Sequence, residues 1–265
     1  MQPESDQRTW RWIALAATIV NIVFNGYSQR LPFADATVRQ ITQRYPSLFT
    51  PAGYAFAIWG LIYLTTLVYV AYQLLPSQRN VDAHDRLVKP VIALNVLGIA
   101  WLTAFQGDLI TLSVAIIAVM LVAGFFFFAR ATRAVGGRDI GKWILLPASL
   151  WFGWLSVATI ANLSLWLVAM RWTESNPVPW TLAGIGIAAL LGFLVGSRYR
   201  NWIYPLVIAW AAVAIWVERK ADVPSVALPA LLCAALMIVW AVYCAIRAKR
   251  DRSGLRIFRD PFDAG

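Results

Sequence analysis

Phe56, Trp59, Gly60 and Tyr63 stand at i, i+3, i+4 and i+7, so a helix would place them on one face. In a second apolar stretch, Trp151, Trp154, Ala158, Asn162 and Leu165 fall within an arc of roughly 80° at 100° per residue. A third carries Asn95, Leu102 and Gln106 on one face, with Trp101 projecting about 120° away from Asn95. Asn21 and Asn25 lie one turn apart in the first apolar stretch. Indole and phenyl faces stack flat, greasy molecules, and a few amides orient them. Gly60 thins its helix beside Trp59 and lets a neighbour or a ligand ring come close. Pro51 suits the first turn of the helix that follows it, where its missing N–H is not needed. These residue types point either to binding or to structure, with the Asn bonded to neighbouring helices and the Trp and Tyr anchored at the membrane interface.

The groups that turnover needs are scarce. Few ionisable side chains fall inside an apolar stretch, and a charge at the membrane centre costs at least about 2.5–3.5 kcal/mol. An ion path or proton relay would have carried that mark. Asp108 sits in a tight turn, and Glu218 and Asp222 lie in a loop. His84, the single histidine, is read as a solvated loop residue. Cys233 and Cys244 share the last apolar stretch, which implies neither a disulfide framework nor a metal site. No phosphate loop, nucleophile with its base, or carboxylate pair is legible. An ion-coupled transporter and a conventional hydrolase both lose support.

The elements that must position these residues are apolar throughout. Of 265 residues, 60% are hydrophobic and 14% charged, against about 25% charged in a soluble domain. Uncharged runs recur near the roughly 20 residues that cross a bilayer as a helix. Eight spans are predicted: 11–27, 52–74, 88–105, 109–129, 143–168, 180–197, 201–217 and 225–246. The expected class is all-α, a polytopic membrane helical bundle of about eight helices. Alternating strand patterns are lacking, which argues against a β-barrel. The first connection, 28–50, is the one long loop. Within it DATVRQITQRY places Val38, Ile41 and Tyr45 on one side, as a short amphipathic helix does. Such a helix is either a lid over a cavity or an interfacial connector. Ala34-Asp-Ala36 resembles a cleavage site but lies too far past the first apolar run, so an uncleaved helix is expected.

The net charge of +10 is a topology signal and not a nucleic-acid footprint. With eight spans, 17 of the 23 basic residues fall on the side of both termini. The positive-inside rule then places both termini in the cytoplasm. Span six repeats a small residue every four positions, at Gly184, Ala188, Gly192 and Gly196. That stripe joins the last three spans to the first five, or pairs two copies as a homodimer. Val239, Tyr243 and Arg247 fit a proposed cholesterol pattern, which is too weak to use.

LFTPAGYAFAIWGLIYL (48–64) together with WFGWLSVATIAN (151–162) resembles the TspO/MBR family of tryptophan-rich sensory or translocator proteins. The family's second-helix Pro, Gly, Trp, Tyr pattern matches Pro51, Gly53, Trp59 and Tyr63. Its fifth-helix Trp and the Asn eight residues on match Trp154 and Asn162. Its third-helix Asn and Trp match Asn95 and, more loosely, Trp101. Gly98 departs from the pattern, standing where a Trp is expected. The resemblance covers about residues 12–170 and implies a five-helix core, 1–172, with a cavity closed by the first loop. Three additional spans, 173–250, and a basic tail, 251–265, then lie beyond it. Carried over, the cavity residues are Phe56, Trp59, Tyr63, Asn95, Trp101, Trp154, Ala158 and Asn162. The resemblance implies a hydrophobic aromatic ligand, a tetrapyrrole or porphyrin, moved across or sensed in the bilayer, with no resident cofactor. The alternatives are an interaction subunit docked through the extra spans and a porphyrin-degrading enzyme. Sterol binding is not supported, because the end of span five, Leu165 to Trp172, has no Tyr.

Overall fold

Long runs of Leu, Ile, Val and Ala with good helix propensity, broken by Gly, Pro and polar turns, fold into helices joined by short connections. The computed structural model describes residues 4–30, 36–173 and 175–253, and only the backbone of 4–7 and 250–253. The α-helices are α1 (Glu4–Arg30), α2 (Val38–Arg44), α3 (Ile58–Tyr72), α4 (Ala83–Gln106), α5 (Ile110–Gly136), α6 (Leu145–Ala169), α7 (Pro177–Tyr199), α8 (Ile203–Arg219) and α9 (Pro224–Ser253). A 3₁₀ turn, Gly53–Ala57, leads into α3. No strand occurs among the described residues. Residues 254–265 of the basic tail, and 31–35 with most of the cleavage-like Ala34–Ala36, lie outside the described residues.

Every predicted span has its helix, and α2 is the amphipathic helix of the first loop. Among the described residues, six helices are long and apolar enough to cross a membrane, those that contain α3, α4, α5, α6, α7 and α9. The other two long helices fall short for different reasons. α8 has only 17 residues, about 26 Å at ~1.5 Å each. α1 has an uncharged stretch between Arg11 and Arg30, but Asn21, Asn25, Ser28 and Gln29 lower its hydropathy.

α6 lies at the centre, packed on α3, α5, α7 and α8. α1 covers α3 and α4, and α9 lies along α7 and α8. Trp151 and Trp154 of α6 and Tyr69 of α3 are among the largest fully buried side chains. The small-residue stripe of α7 is taken up inside the chain. A Cβ on Gly184 would meet the Phe49 ring at 3.0 Å, and one on Gly196 would meet Trp240 at 2.6 Å. Gly192 abuts Met237. The stripe therefore seats α7 against α9 and the first loop.

Three helices end in Schellman turns. After α4, Leu109 N–H reaches Ala104 O at 2.9 Å, after α5 Asp139 N–H reaches Ala134 O at 3.0 Å, and after α6 Trp172 N–H reaches Leu167 O at 3.0 Å. The left-handed position, usually Gly, is filled by Asp108 (φ 59°), Arg138 (φ 63°) and Arg171 (φ 61°). Arg200, after α7, is left-handed as well, at φ 49°.

His84 departs from its reading as a solvated loop residue. α4 begins at Ala83, so His84 lies in its first turn and is fully buried. Its Nδ1 is 3.4 Å from the Tyr69 hydroxyl and its Nε2 is 3.2 Å from Gln78 Oε1. Beside it Arg11 of α1 is 5% exposed. Its guanidinium bonds Asp85 Oδ1 at 2.7 Å and the carbonyls of Gln73 (3.2 Å), Gln78 (2.8 Å) and Val81 (3.1 Å). One cation thus satisfies the backbone that turns from α3 to α4.

Candidate functional site

The 3₁₀ turn, opened by Gly53, and α3 carry Phe56 and Trp59 toward α6, while Pro51 lies ahead of the N-cap Ala52 and not in the first turn as expected. Phe56 meets Trp154 edge to face at 5.9 Å between ring centroids, and Trp59 meets Trp154 at 6.3 Å and Trp151 at 5.5 Å. Edge-to-face packing at these distances is the favourable arrangement of aromatic quadrupoles. The indoles at 59 and 154 are thus in contact, and form one wall together. The hollow lies beside them, between α6, α4 and α2.

That hollow is small, about 40 Å³, and open at its mouth. Phe56, Trp59, Trp101, Trp154, Ala158 and Asn162 line it. Tyr63 does not: it stacks behind Trp59 at 5.5 Å, with an interplanar angle of 24°. Asn95 does not either. It faces α1, where Asn21 Nδ2 donates to its Oδ1 at 3.0 Å and its own Nδ2 donates to Thr18 Oγ1 (3.1 Å) and Val91 O (2.8 Å). Gly98, one turn on, leaves room for Asn21, which a Cβ there would meet at 3.3 Å. Asn95 and Gly98 therefore serve the α1–α4 contact. The 120° between Asn95 and Trp101 is what separates that contact from the cavity.

The polar groups of the hollow are mostly tied off. Trp101 Nε1 donates to Asn162 Oδ1 at 2.8 Å, and Asn162 Nδ2 donates to Ser113 Oγ at 3.0 Å. The Ser113 hydroxyl in turn donates to Ile110 O at 2.7 Å. This chain links α4, α6 and α5 and leaves the Asn162 amide satisfied. Trp154 is the exception. It is 1% exposed and its Nε1 has no acceptor among the described residues. Three residues earlier, Trp151 Nε1 donates to Thr66 Oγ1 at 2.9 Å.

Several lining residues were missed in the sequence. Phe105 stacks on Trp101 at 5.1 Å, and their i, i+4 spacing was the available signal. Val38 and Thr42 of α2 also line the hollow, which makes α2 its cover. Ser113 gave no signal, since a membrane Ser usually bonds its own helix.

α2 is held by its own sequence and by one tie. Thr37 and Gln40 form a capping box, with Gln40 N–H to Thr37 Oγ1 at 3.3 Å and Thr37 N–H to Gln40 Oε1 at 2.7 Å. Ile41 is fully buried beneath it. Arg44 Nη1 bonds Asp108 Oδ2 at 2.5 Å, and the Tyr45 hydroxyl donates to the same oxygen at 3.3 Å. Burial first, then the Asp108 carboxylate, holds the Tyr45 phenol above its usual range, so it remains a donor.

An aromatic hollow under a short amphipathic helix, inside a bundle of apolar helices, defines an integral multi-pass membrane protein. A family described as TSPO-like protein matches residues 11–243, and the chain belongs to that family. The match runs on across α7 and α8 and most of α9, past the end of the five-helix stretch. No curated protein and no solved structure matches the chain.

Proposed function

We propose that the hollow binds a flat, hydrophobic, acceptor-bearing molecule, a tetrapyrrole of the porphyrin type, for transport or sensing. The observation that carries this reading is that Trp154, a residue of the cavity wall, has a buried indole N–H without an acceptor among the described residues. A buried donor left unsatisfied costs about 1–3 kcal/mol, and a ligand oxygen or ring nitrogen removes that cost. Trp101, Asn162 and Ser113 bond to each other and the Thr42 hydroxyl bonds Arg39 O, so recognition rests on stacking, the Trp154 N–H and the Thr50 hydroxyl at the rim. On this reading both termini lie in the cytoplasm, which follows from the distribution of basic residues.

Protoporphyrin IX added to the detergent-solubilised protein is expected to quench tryptophan emission saturably. The Trp59→Leu, Trp154→Leu double variant, still folded by circular dichroism, is expected to lose that saturable phase. Unchanged quenching in the double variant would remove the site. Slow loss of the porphyrin absorbance band, with a product of new mass, would favour an enzyme instead.

A macrocycle enters this hollow with outward movement of α2. The tie at Asp108 then sets the rates. The Arg44 and Asp108 side chains are 53% and 32% exposed, so the pair is worth roughly 0.2–1 kcal/mol. Asp108→Asn tolerates the left-handed backbone and removes the charge. It is expected to speed both association and dissociation of protoporphyrin about two- to fivefold in stopped-flow, with the equilibrium constant nearly unchanged. Rates equal to those of the parent protein would mean that α2 is not the gate.

A further inference from the structure

The segment 47–55 forms the rim of the hollow, with Thr50 and Pro51 on its wall and Phe56 next in sequence. It makes few backbone bonds of its own: Thr50 N–H to Ser47 O at 3.1 Å and Ala55 N–H to Ala52 O at 2.9 Å. Backbone in apolar surroundings needs partners for its remaining groups. Helix α8, far away in sequence, supplies four. Ala52 N–H donates to Ala214 O at 3.1 Å. Trp210 Nε1 donates to Ala55 O at 3.0 Å, and the Trp210 ring meets Tyr54 edge to face at 5.3 Å. Arg219 donates from Nε to Leu48 O at 3.2 Å and from Nη2 to Ser47 O at 2.9 Å.

We infer that α8 is the brace that fixes the rim of the cavity, with Arg219 and Trp210 as positioning residues acting through the backbone of 47–55. A guanidinium suits the task because its planar fork reaches two adjacent carbonyls at once, which a lysine ammonium does not match. Arg219 stands in the last turn of α8, where the negative end of the helix favours a cation and holds it in place. From the other side the Phe49 ring lies flush on Gly184 of α7. The rim is thereby clamped between two helices of the C-terminal part of the chain, while α2 is tied to the α4–α5 turn. The ligand part of this inference rests on the function proposed above. The bracing part does not.

The test uses full-length Arg219→Gln, Arg219→Lys and Trp210→Phe in detergent, with two measurements. Hydrogen exchange without ligand reads the brace. Protoporphyrin IX affinity reads its effect on the cavity. Arg219→Gln is expected to speed exchange at Phe49, Thr50 and Ala52 about tenfold or more, with exchange in α4 and α5 and the thermal midpoint close to the parent values. Arg219→Lys is expected to fall between Gln and the parent protein. Protoporphyrin affinity is expected to drop several-fold in Arg219→Gln and Trp210→Phe. Exchange unchanged at 49–52, or raised equally along the whole chain, overturns the brace. Faster local exchange with unchanged affinity overturns its role in the cavity. Faster local exchange in a protein whose parent binds no porphyrin upholds the brace and removes the porphyrin reading alone.

Discussion

Trp154→Phe is expected to weaken protoporphyrin binding about ten- to a hundredfold and to cost less stability than the same change at Trp151. The change keeps an aromatic ring against Phe56 and Trp59 and removes the N–H together with the five-membered half of the indole. In the free protein that N–H has no partner among the described residues, so relief of an unsatisfied donor offsets part of the cost of the smaller buried ring. In the complex it takes away one hydrogen bond to an acceptor, worth about 1.5–3 kcal/mol if that acceptor is charged. Trp151→Phe is the matched control. It breaks the 2.9 Å bond to Thr66 and is expected to cost about 1 kcal/mol more stability than Trp154→Phe, which loses a similar ring volume and no bond. Trp151 packs behind the wall residue Trp59 but does not itself line the hollow, so affinity stays near that of the parent. Equilibrium quenching and thermal unfolding of both variants decide the matter. A Trp154→Phe protein that binds like the parent, or a reversed pattern between the two, would show that the orphan N–H is not the ligand's partner.

Arg11→Met is expected to produce the largest loss of stability of any single change discussed for this chain, about 3–5 kcal/mol. Removal of the guanidinium leaves Asp85, whose side chain is 18% exposed, without its counter-ion, and takes one donor from each of three carbonyls, of which Gln78 O and Val81 O keep a backbone N–H. Size alone does not explain the effect, because Met retains much of the stem volume. The double change Arg11→Met, Asp85→Leu is expected to recover part of the loss, since it also removes the stranded carboxylate. Unfolding in a graded denaturing detergent measures both. A loss under about 1 kcal/mol would place this pair with exposed ion pairs such as Arg44–Asp108.

Periodicity and composition made the bundle legible. Each apolar run became a helix, and the i, i+3, i+4 faces of 56–59 and 154–162 turned toward one hollow. What escaped the sequence has a common physical origin. A face predicts direction but not neighbour. Asn95 and Trp101 belong to one helix, yet α1 claims the first and α6 the second, and nothing within α4 says which helix lies on which side. Tyr63 shares the face of Trp59 but lies one turn deeper, behind its ring. His84 read as solvated because polar residues surround it in sequence, whereas the rings of Tyr69 and Tyr72 and the carbonyls bound by Arg11 surround it in space. The clamp of α8 on residues 47–55 runs through backbone carbonyls, which carry no side-chain signature. The end of α8 offered only an arginine at a helix terminus, which reads first as a topology charge.

The left-handed turns after α5, α6 and α7 place arginines where the backbone would be easiest for glycine. Each of those arginines follows a helix C-terminus and carries a cation there, where the helix dipole favours one. Glycine at 138, 171 or 200 would relax roughly 1 kcal/mol of local strain and remove that cation. Chain reversal and the charge at the helix end are therefore vested in one and the same residue, and a substitution there changes both at once.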